Sequence, residues 1–385
     1  MAFTETTSTG WFGRIGSSIK GIFFGMILIL ISLVVMVWNE SNAVDDIRAN
    51  KELGGKVVSV ASETVNAGND GALVHLNGAA RTNDIVKNEA FGIAENAVRL
   101  SWQAEIYQWV EESESETRKK LGGGEETVRT YTYHKEWVDT PVDSSGFKEA
   151  GHENIGGAAY RNGSSQAELV TLEAFTLPSG LIEKMSWSEP YPIKEVPAEL
   201  AEKGALSGGI FYSGTPDRSE IGDEKVTFSV TRPDDVSVMA VQSGETFTPF
   251  TATNGKVRFL LSQGLLSAEE MIQEEEKKAK FLRWALRGGG VFLMFFGFLL
   301  ILKPLSVLAD VLPILGSLVG GVSALIAFLL SLGISFVVIA ISWISFRPLL
   351  GISLLVVAVA CFFLIQKKMS QGKGRSASVP PPLNE

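Results

Sequence analysis

The chain is poor in the residues that build reactive centres. It has one cysteine, Cys361, and three histidines in 385 residues. One thiol excludes an intrachain disulfide, and three scattered imidazoles leave little from which to assemble a metal site. G-x-S-x-G, P-loop, G-x-G-x-x-G and C-x-x-C patterns are all missing, and with them a nucleophile elbow, a phosphate cradle and a redox pair. A basic surplus is missing too. The formal net charge is −9, which argues against a nucleic-acid partner, whose phosphates demand a cationic surface.

Apolar sequence, by contrast, is abundant. Hydrophobic residues make up 45% of the chain, and the mean hydropathy is +0.18. Charge is segregated: residues 39–287 carry 26 Lys+Arg against 40 Asp+Glu, whereas the two ends carry 8 against 3. An acidic middle between apolar, slightly basic ends is the layout of a membrane protein with a large water-exposed insert.

The first apolar run, residues 21–38, has 18 residues without a charge, about enough to cross a hydrocarbon core of roughly 30 Å. It is too long for the apolar region of a signal peptide, and no small-x-small cleavage site follows it, so it reads as a retained anchor after a short cytoplasmic segment, 1–20. From Gly288 to Ile365 only Lys303, Asp310 and Arg347 interrupt the hydrophobicity. They divide it into a second span at 288–308, a connector at 309–318 broken by proline, a third span at 319–346 and a fourth at 347–365. A disordered cytoplasmic tail, 366–385, follows. Four spans is the reading, with three as the alternative.

Basic residues set the orientation. Arg14 and Lys20 precede span one, Lys303 ends span two, and Lys367 and Lys368 follow span four, which puts them all on the cytoplasmic side. Trp38, Trp284 and Trp343 then fall at the opposite surface as an aromatic belt, with Arg347, Lys367 and Lys368 as further interface anchors. Small residues in and before span three (Gly316, Gly320, Gly321, Ala324) suit close helix packing, within the chain or between copies.

The insert, 39–266, alternates mostly with period two. Val98, Leu100, Trp102, Ala104 and Ile106 form one apolar face of a strand, and 127–137 and 226–231 read likewise. Ser267 followed by Glu270 is a capping-box spacing, which opens a helical stalk at 267–287 that merges into span two. The fold class is therefore an α+β integral membrane protein: four transmembrane helices, with a large β-rich extracytoplasmic or luminal domain between the first and second.

Chemistry has few places to start. His75, His134 and His152 have no partner at helical ligand spacing and read as structural or surface residues. Glu111, Glu112, Glu114 and Glu116 lack calcium-loop spacing and read as a solvated loop before Gly122–Gly123–Gly124. Lys303, Asp310 and Arg347 sit at span ends, where snorkelling relieves their cost, so a transport path has no mid-membrane charge to use. No catalytic, cofactor-binding or metal residues are expected.

Several segments carry a family resemblance: WNESNAV (38–44), LVHLNG (73–78), RLSWQAEIYQWVE (99–111), TYHKEWVDTPVDSSGF (132–147), GFLLILKPLSVLADVLPILG (297–316) and SWISFRPLLG (342–351). They resemble the LUMA family, also called the transmembrane protein 43 family, in matching order over nearly the whole chain. The resemblance implies four spans, cytosolic or nucleoplasmic termini and a luminal domain. For animal members it implies the endoplasmic reticulum and inner nuclear membrane, self-association, and contacts with lamins and emerin. The cysteine-free insert and the tail fit a bacterial member, for which a cytoplasmic membrane is expected. The resulting expectation is a non-enzymatic membrane scaffold without cofactors, whose partners are the lipid bilayer, other copies of itself and unidentified membrane or envelope proteins. The rivals are an oligomeric channel or transporter of the C-terminal helices and an enzyme in the insert.

Overall fold

The computed structural model describes residues 3–344 and 348–375. Long helices lie at α1 (Trp11–Lys56), α2 (Ala268–Ala309), α3 (Pro313–Ile344) and α4 (Pro348–Arg375). Three of them, α1, α2 and α3, are long and apolar enough to cross a membrane, while the apolar stretch of α4, Ile352–Leu364, is shorter. Between α1 and α2 the chain is β-rich. The fold is α+β.

Two compact units make up the chain. The first contains 49–114 and 130–275, with the first described residues of the chain; the second contains 5–48, 115–129 and the chain from 276 onward.

The first unit is built on two sheets. One takes the order β1 (Phe3–Thr9), β4 (Glu125–Val138), β3 (Arg99–Lys119), β9 (Glu224–Thr231), β8 (Ile210–Tyr212) and β7 (Ala205–Ser207), and the outer ends of its first three strands belong to the second unit. The other runs β6 (Phe175–Leu177), β5 (Val170–Leu172), β2 (Leu73–Arg81), β10 (Asp235–Ser243) and β11 (Thr246–Thr248), with β12 (Leu260–Gln263) also paired to β10. The period-two alternation explains the main core. Leu100, Val226, Phe228 and Val230 from the first sheet meet Val74, Leu76, Val236 and Val238 from the second, all buried.

β2 and β10 are covered on both faces. Their other face, Leu73 and Met239, joins Phe250 and Leu260 in a second core that also holds Ala49 and Leu53 from the end of α1 and Met271 from the start of α2. Such strands read as continuous apolar runs rather than alternating ones, as VSVMAV does. Full burial of Leu53 stabilises by roughly 1.5–3 kcal/mol.

The helices depart from the expected boundaries in three places. α1 is one helix from Trp11 to Lys56, far past the apolar run. The stalk merges into the second apolar run within one helix, α2, in line with the sequence reading. The capping box at its start is present: Ser267 N donates to Glu270 Oε2 at 2.8 Å, and Glu270 N donates to Ser267 Oγ at 3.3 Å. α3 begins at Pro313 rather than 319, because proline fits the first turn of a helix, where its missing N–H is not needed. The connector shrinks to residues 310–312. α4 continues to Arg375, so the first part of the expected disordered tail is helical.

A fourth difference lies in β3. Glu111, Glu112, Glu114 and Glu116 are not a loop but the outer half of that strand, and the turn comes only at Gly122 and Gly123, with φ of 86° and 82°.

Candidate functional site

The histidines are held by structural contacts. His75 is buried on β2, with Nδ1 3.2 Å from Ser59 Oγ and Nε2 2.9 Å from Leu266 O. One tautomer satisfies both contacts, Nε2–H donating to the carbonyl, and pins the entry to α2. His134 is exposed, 3.7 Å from Glu136. His152 stacks on Tyr133 at 4.0 Å between centroids and meets the edge of Trp109 at 4.6 Å.

Tyr133 in turn donates to Glu111 at 2.6 Å and accepts from Glu149 N at 3.0 Å. Burial, followed by the hydrogen bond to Glu111, raises the Tyr133 pKa and keeps the phenol protonated. His134 and His152 meet a carboxylate, a carbonyl and aromatic rings, and the contact of His75 with the Ser59 hydroxyl faces the second core. A cleft of about 280 Å³ is lined by Glu105, Asp139, Tyr160, Arg161, Asn162 and Glu224. The Glu224 carboxylate in it accepts from Ala159 N at 2.7 Å and Tyr160 N at 2.9 Å, one donor on each oxygen. Among the described residues, no group of three His, Cys, Asp or Glu side chains could hold a metal ion.

Buried charge is concentrated instead in the second unit, at the two ends of the α1–α2 pair. The two helices run antiparallel and touch through glycine. A Cβ on Gly25 would lie 2.5 Å from the Gly297 carbonyl oxygen, and one on Gly297 would lie 2.6 Å from Ile29. Nearby, Ser32 Oγ donates to Gly290 O at 2.7 Å, and a Cβ on Gly290 would strike Met36. Small residues let the backbones approach, and packing between membrane helices depends on that approach.

At one end of this pair, Glu40 is fully buried. Arg287 grips it bidentately, Nε and Nη2 each 2.6 Å from a carboxylate oxygen. Trp343 of α3 donates its indole N–H to the same carboxylate, and Asn39 Nδ2 adds a bond of 3.2 Å.

At the other end, Asp310 is 1% exposed and accepts from Arg14 Nη2 and Lys119 Nζ, both at 2.6 Å. Arg14 also donates to the Gly123 carbonyl and lies 3.0 Å from Glu125. Trp11 caps the cluster: its indole donates to Val307 O at 2.9 Å, and its ring covers Gly123 so closely that no Cβ fits there. Gly316 is needed for the same reason, since a side chain on it would overlap the Asp310 carboxylate. Burial alone would raise the Asp310 pKa, but hydrogen bonds and positive charge from Lys119 and Arg14 outweigh it and hold the carboxyl below its ordinary 3.8.

The expected anchors divide. Trp38 and Trp284 are exposed, 58% and 60%, and Arg287 lies over the Trp284 ring at 4.8 Å. Trp343 is not exposed to a membrane surface: it is 6% accessible and serves Glu40. Arg347 lies outside the described residues, as do the side chains of Lys367 and Lys368.

Of the expected packing residues, Gly316 makes room for Asp310, a Cβ added to Gly320 would lie 3.9 Å from the Ser306 side chain of α2, and Ala324 is half-buried. A Cβ added to Gly321 would meet nothing within 4 Å. The close contacts lie in α1 and α2 instead, where G-x-x-x-G at Gly21–Gly25 was the available signal. Glu40 and Arg287, each just outside an apolar run, had none beyond their position.

These features define an integral membrane protein in which a β-rich insert separates two glycine-packed membrane helices. The profile of the family described as Transmembrane protein 43 matches residues 106–348. Transmembrane protein 43 of Rattus norvegicus is 30% identical over 358 residues, 90% of this chain and 89% of the relative. That of Homo sapiens is 30% identical over 356 residues, covering 89% of each. The homolog in Drosophila melanogaster is 30% identical over 342 residues, 85% of this chain and 89% of the relative. The chain belongs to the Transmembrane protein 43 family. No solved structure matches it.

Proposed function

We propose that the chain is a non-enzymatic membrane scaffold that self-associates and recruits partner proteins at the membrane surface. In this reading α1 to α4 all span, and both termini are cytoplasmic. The observation that carries it is the way the membrane helices end. Ala49 and Leu53 of α1 and Met271 of α2 are fully buried in the second core of the β unit, together with Phe250 and Leu260. A domain attached at both of its ends to membrane helices stays at the membrane surface, where its effective concentration toward neighbours in the same membrane is high.

The buried hydroxyl stripe of α3, Ser323, Ser331 and Ser335, supports packing within the chain rather than a passage, since Ser335 Oγ meets Met36 Sδ of α1 at 3.5 Å. Mass measurement of the full chain in nanodiscs cut from native membranes tests the proposal. A discrete homo-oligomer or a stoichiometric partner is the expected result, and a monomer at every concentration sinks it. Ion flux through reconstituted liposomes would favour the channel alternative.

A further inference from the structure

Unpaired cations stand beside exposed aromatic rings where α2 meets its apolar stretch. Residues 276–287 carry five basic side chains, Lys277, Lys278, Lys280, Arg283 and Arg287, against one acid, Glu276. Arg287 is committed to Glu40, and Lys278 has a contact of its own. Lys277, Lys280 and Arg283 have no ion pair among the described residues, and both lysines are exposed. On the facing part of α1, Glu40 is taken by Arg287 and Asp45 lies 3.9 Å from Arg48, while Asp46 accepts from Asn42 at 3.4 Å. Residues 39–48 and 276–287 together hold six bases against four acids, a balance of +2.

Helical spacing gathers two of these cations and the rings on one stripe. Lys277, Lys280, Phe281 and Trp284 stand at i, i+3, i+4 and i+7, and Gly288 and Phe292 continue the row. At about 100° per residue this stripe points away from α1, which touches α2 at Gly290 and Gly297 on the opposite side. Phe281 is 80% exposed, Trp284 60% and Phe292 62%. The contacts Gly25–Gly297 and Ser32–Gly290 set the register, which brings Trp38 of α1, also exposed, level with Trp284. Indoles exposed at one level mark the membrane–water interface. Lys280 stands about 6 Å and Lys277 about 10 Å above Trp284 along the axis, within the roughly 8–10 Å over which headgroup charge acts. Between Trp284 and Phe292 the surface is bare: nothing lies within 4 Å of a Cβ added at Gly288 or Gly289. Two exposed rings thus border a notch about 12 Å long, directly below the cations.

We propose that this face of α2 binds an anionic phospholipid from the leaflet at the Glu40 end of the α1–α2 pair. Lys280 and Arg283, with Lys277 behind them, take the headgroup phosphate. The glycerol and the upper acyl chains lie in the notch at Gly288, between Trp284 and Phe292. A choline headgroup brings its own cation, which these side chains repel, so the site selects lipids of net negative charge. An acidic protein could meet the cations, but the notch opens within the apolar run, where only lipid reaches it. The site lies within one chain and does not rest on the self-association proposed above.

Native mass spectrometry of the full chain, released from nanodiscs of equal phosphatidylglycerol and phosphatidylcholine, tests the site. A cation at a bilayer surface is worth about fivefold in affinity, and screening cuts the sum for three to roughly tenfold. Wild type should therefore retain phosphatidylglycerol over phosphatidylcholine by roughly tenfold, and Lys277→Gln with Lys280→Gln and Arg283→Gln should bring the ratio to near parity. Lys87→Gln with Lys184→Gln and Lys203→Gln removes the same charge from exposed positions of the β unit and should change nothing. Gly288→Leu fills the notch with the charges intact and should also bring the ratio near parity. No preference in wild type, or one that survives the triple substitution on α2, overturns the site. A preference that survives Gly288→Leu overturns the seated lipid and leaves only attraction to the leaflet as a whole. Binding of soluble polyglutamate without any lipid preference overturns it in favour of a protein-docking face. If the triple variant melts early, Lys280→Gln alone reads the site, with a loss of up to about fivefold. The oligomer mass of these variants should equal that of wild type, so failure here leaves the scaffold reading standing.

Discussion

The two ends of the α1–α2 pair solve the same problem differently. Each buries a carboxylate beside an arginine where apolar sequence gives way to polar. At the Glu40 end all partners come from the helices themselves: Arg287 from α2, Trp343 from α3 and the neighbouring Asn39. At the Asp310 end the helices supply only Arg14, and Lys119, Gly123 and Glu125 arrive from a hairpin nearly 200 positions away from Asp310 in sequence. The first end is therefore a lock within the helices, and its integrity is that of the helix packing. The second is a clasp on a separate element, which can open while the helices stay packed. Buried ion pairs specify geometry more than they add stability, and here they specify which parts of the chain belong together.

The largest effect is expected at the lock. Glu40→Ala leaves the Arg287 guanidinium without its carboxylate in a nearly closed site, which should cost about 3–5 kcal/mol. Thermal denaturation in detergent reads it, and Glu40→Ala with Arg287→Met should recover part of the loss. Wild-type stability of Glu40→Ala would mean that the lock does not hold the helices.

Overpacking the helix contact comes next. Gly25→Ala should destabilise by about 1–3 kcal/mol, because the obstructing atom is a carbonyl of the facing backbone. Gly321→Ala, in open space, should stay within about 0.5 kcal/mol of wild type.

At the clasp, Asp310→Asn should weaken tip attachment by about 2 kcal/mol, the order of a charge-assisted hydrogen bond, while melting of the helices changes less. Hydrogen exchange and proteolysis at Gly122–Gly124 report it. The clasp should also fail with acid. The folded pKa of Asp310 lies below its ordinary 3.8, so its contribution is complete above about pH 4 and is lost as the pH falls through the lowered value. Exchange at the tip should therefore accelerate below pH 4, and a flat profile down to pH 3 would remove Asp310 as its anchor.

The smallest effect belongs to the β unit. Tyr133→Phe deletes the bond to Glu111 and should cost about 1 kcal/mol in unfolding of that unit, with no change in the tip.

Much of this was legible before any coordinates. The 18-residue run ending at Trp38, the alternation in 98–106 and the Ser267–Glu270 spacing all correspond to elements found. Each is a local signal: helix length, strand period and cap chemistry depend on neighbours within a few residues. The boundary at Pro313 was misplaced because proline breaks a helix interior but opens a helix start, and only the first described turn tells the two apart. The acidic run after Glu111 carries no strand signal in the sequence, because exposure on both faces removes the alternation by which strands are recognised.

What the sequence by itself determined is the set of elements: several span-length helices, a β-rich insert and a charged residue at nearly every apolar boundary. Desolvation and hydrogen-bond geometry within a few residues impose those. What only the tertiary structure decided is pairing. Nothing in the chain order marks Trp343 for Glu40 rather than for the membrane surface, selects Gly25 and Gly297 over Gly320 and Gly321, or sends Lys119 to Asp310. A buried charge records its need for a partner in its own position, but the partner is chosen by three-dimensional proximity, which sequence spacing does not encode.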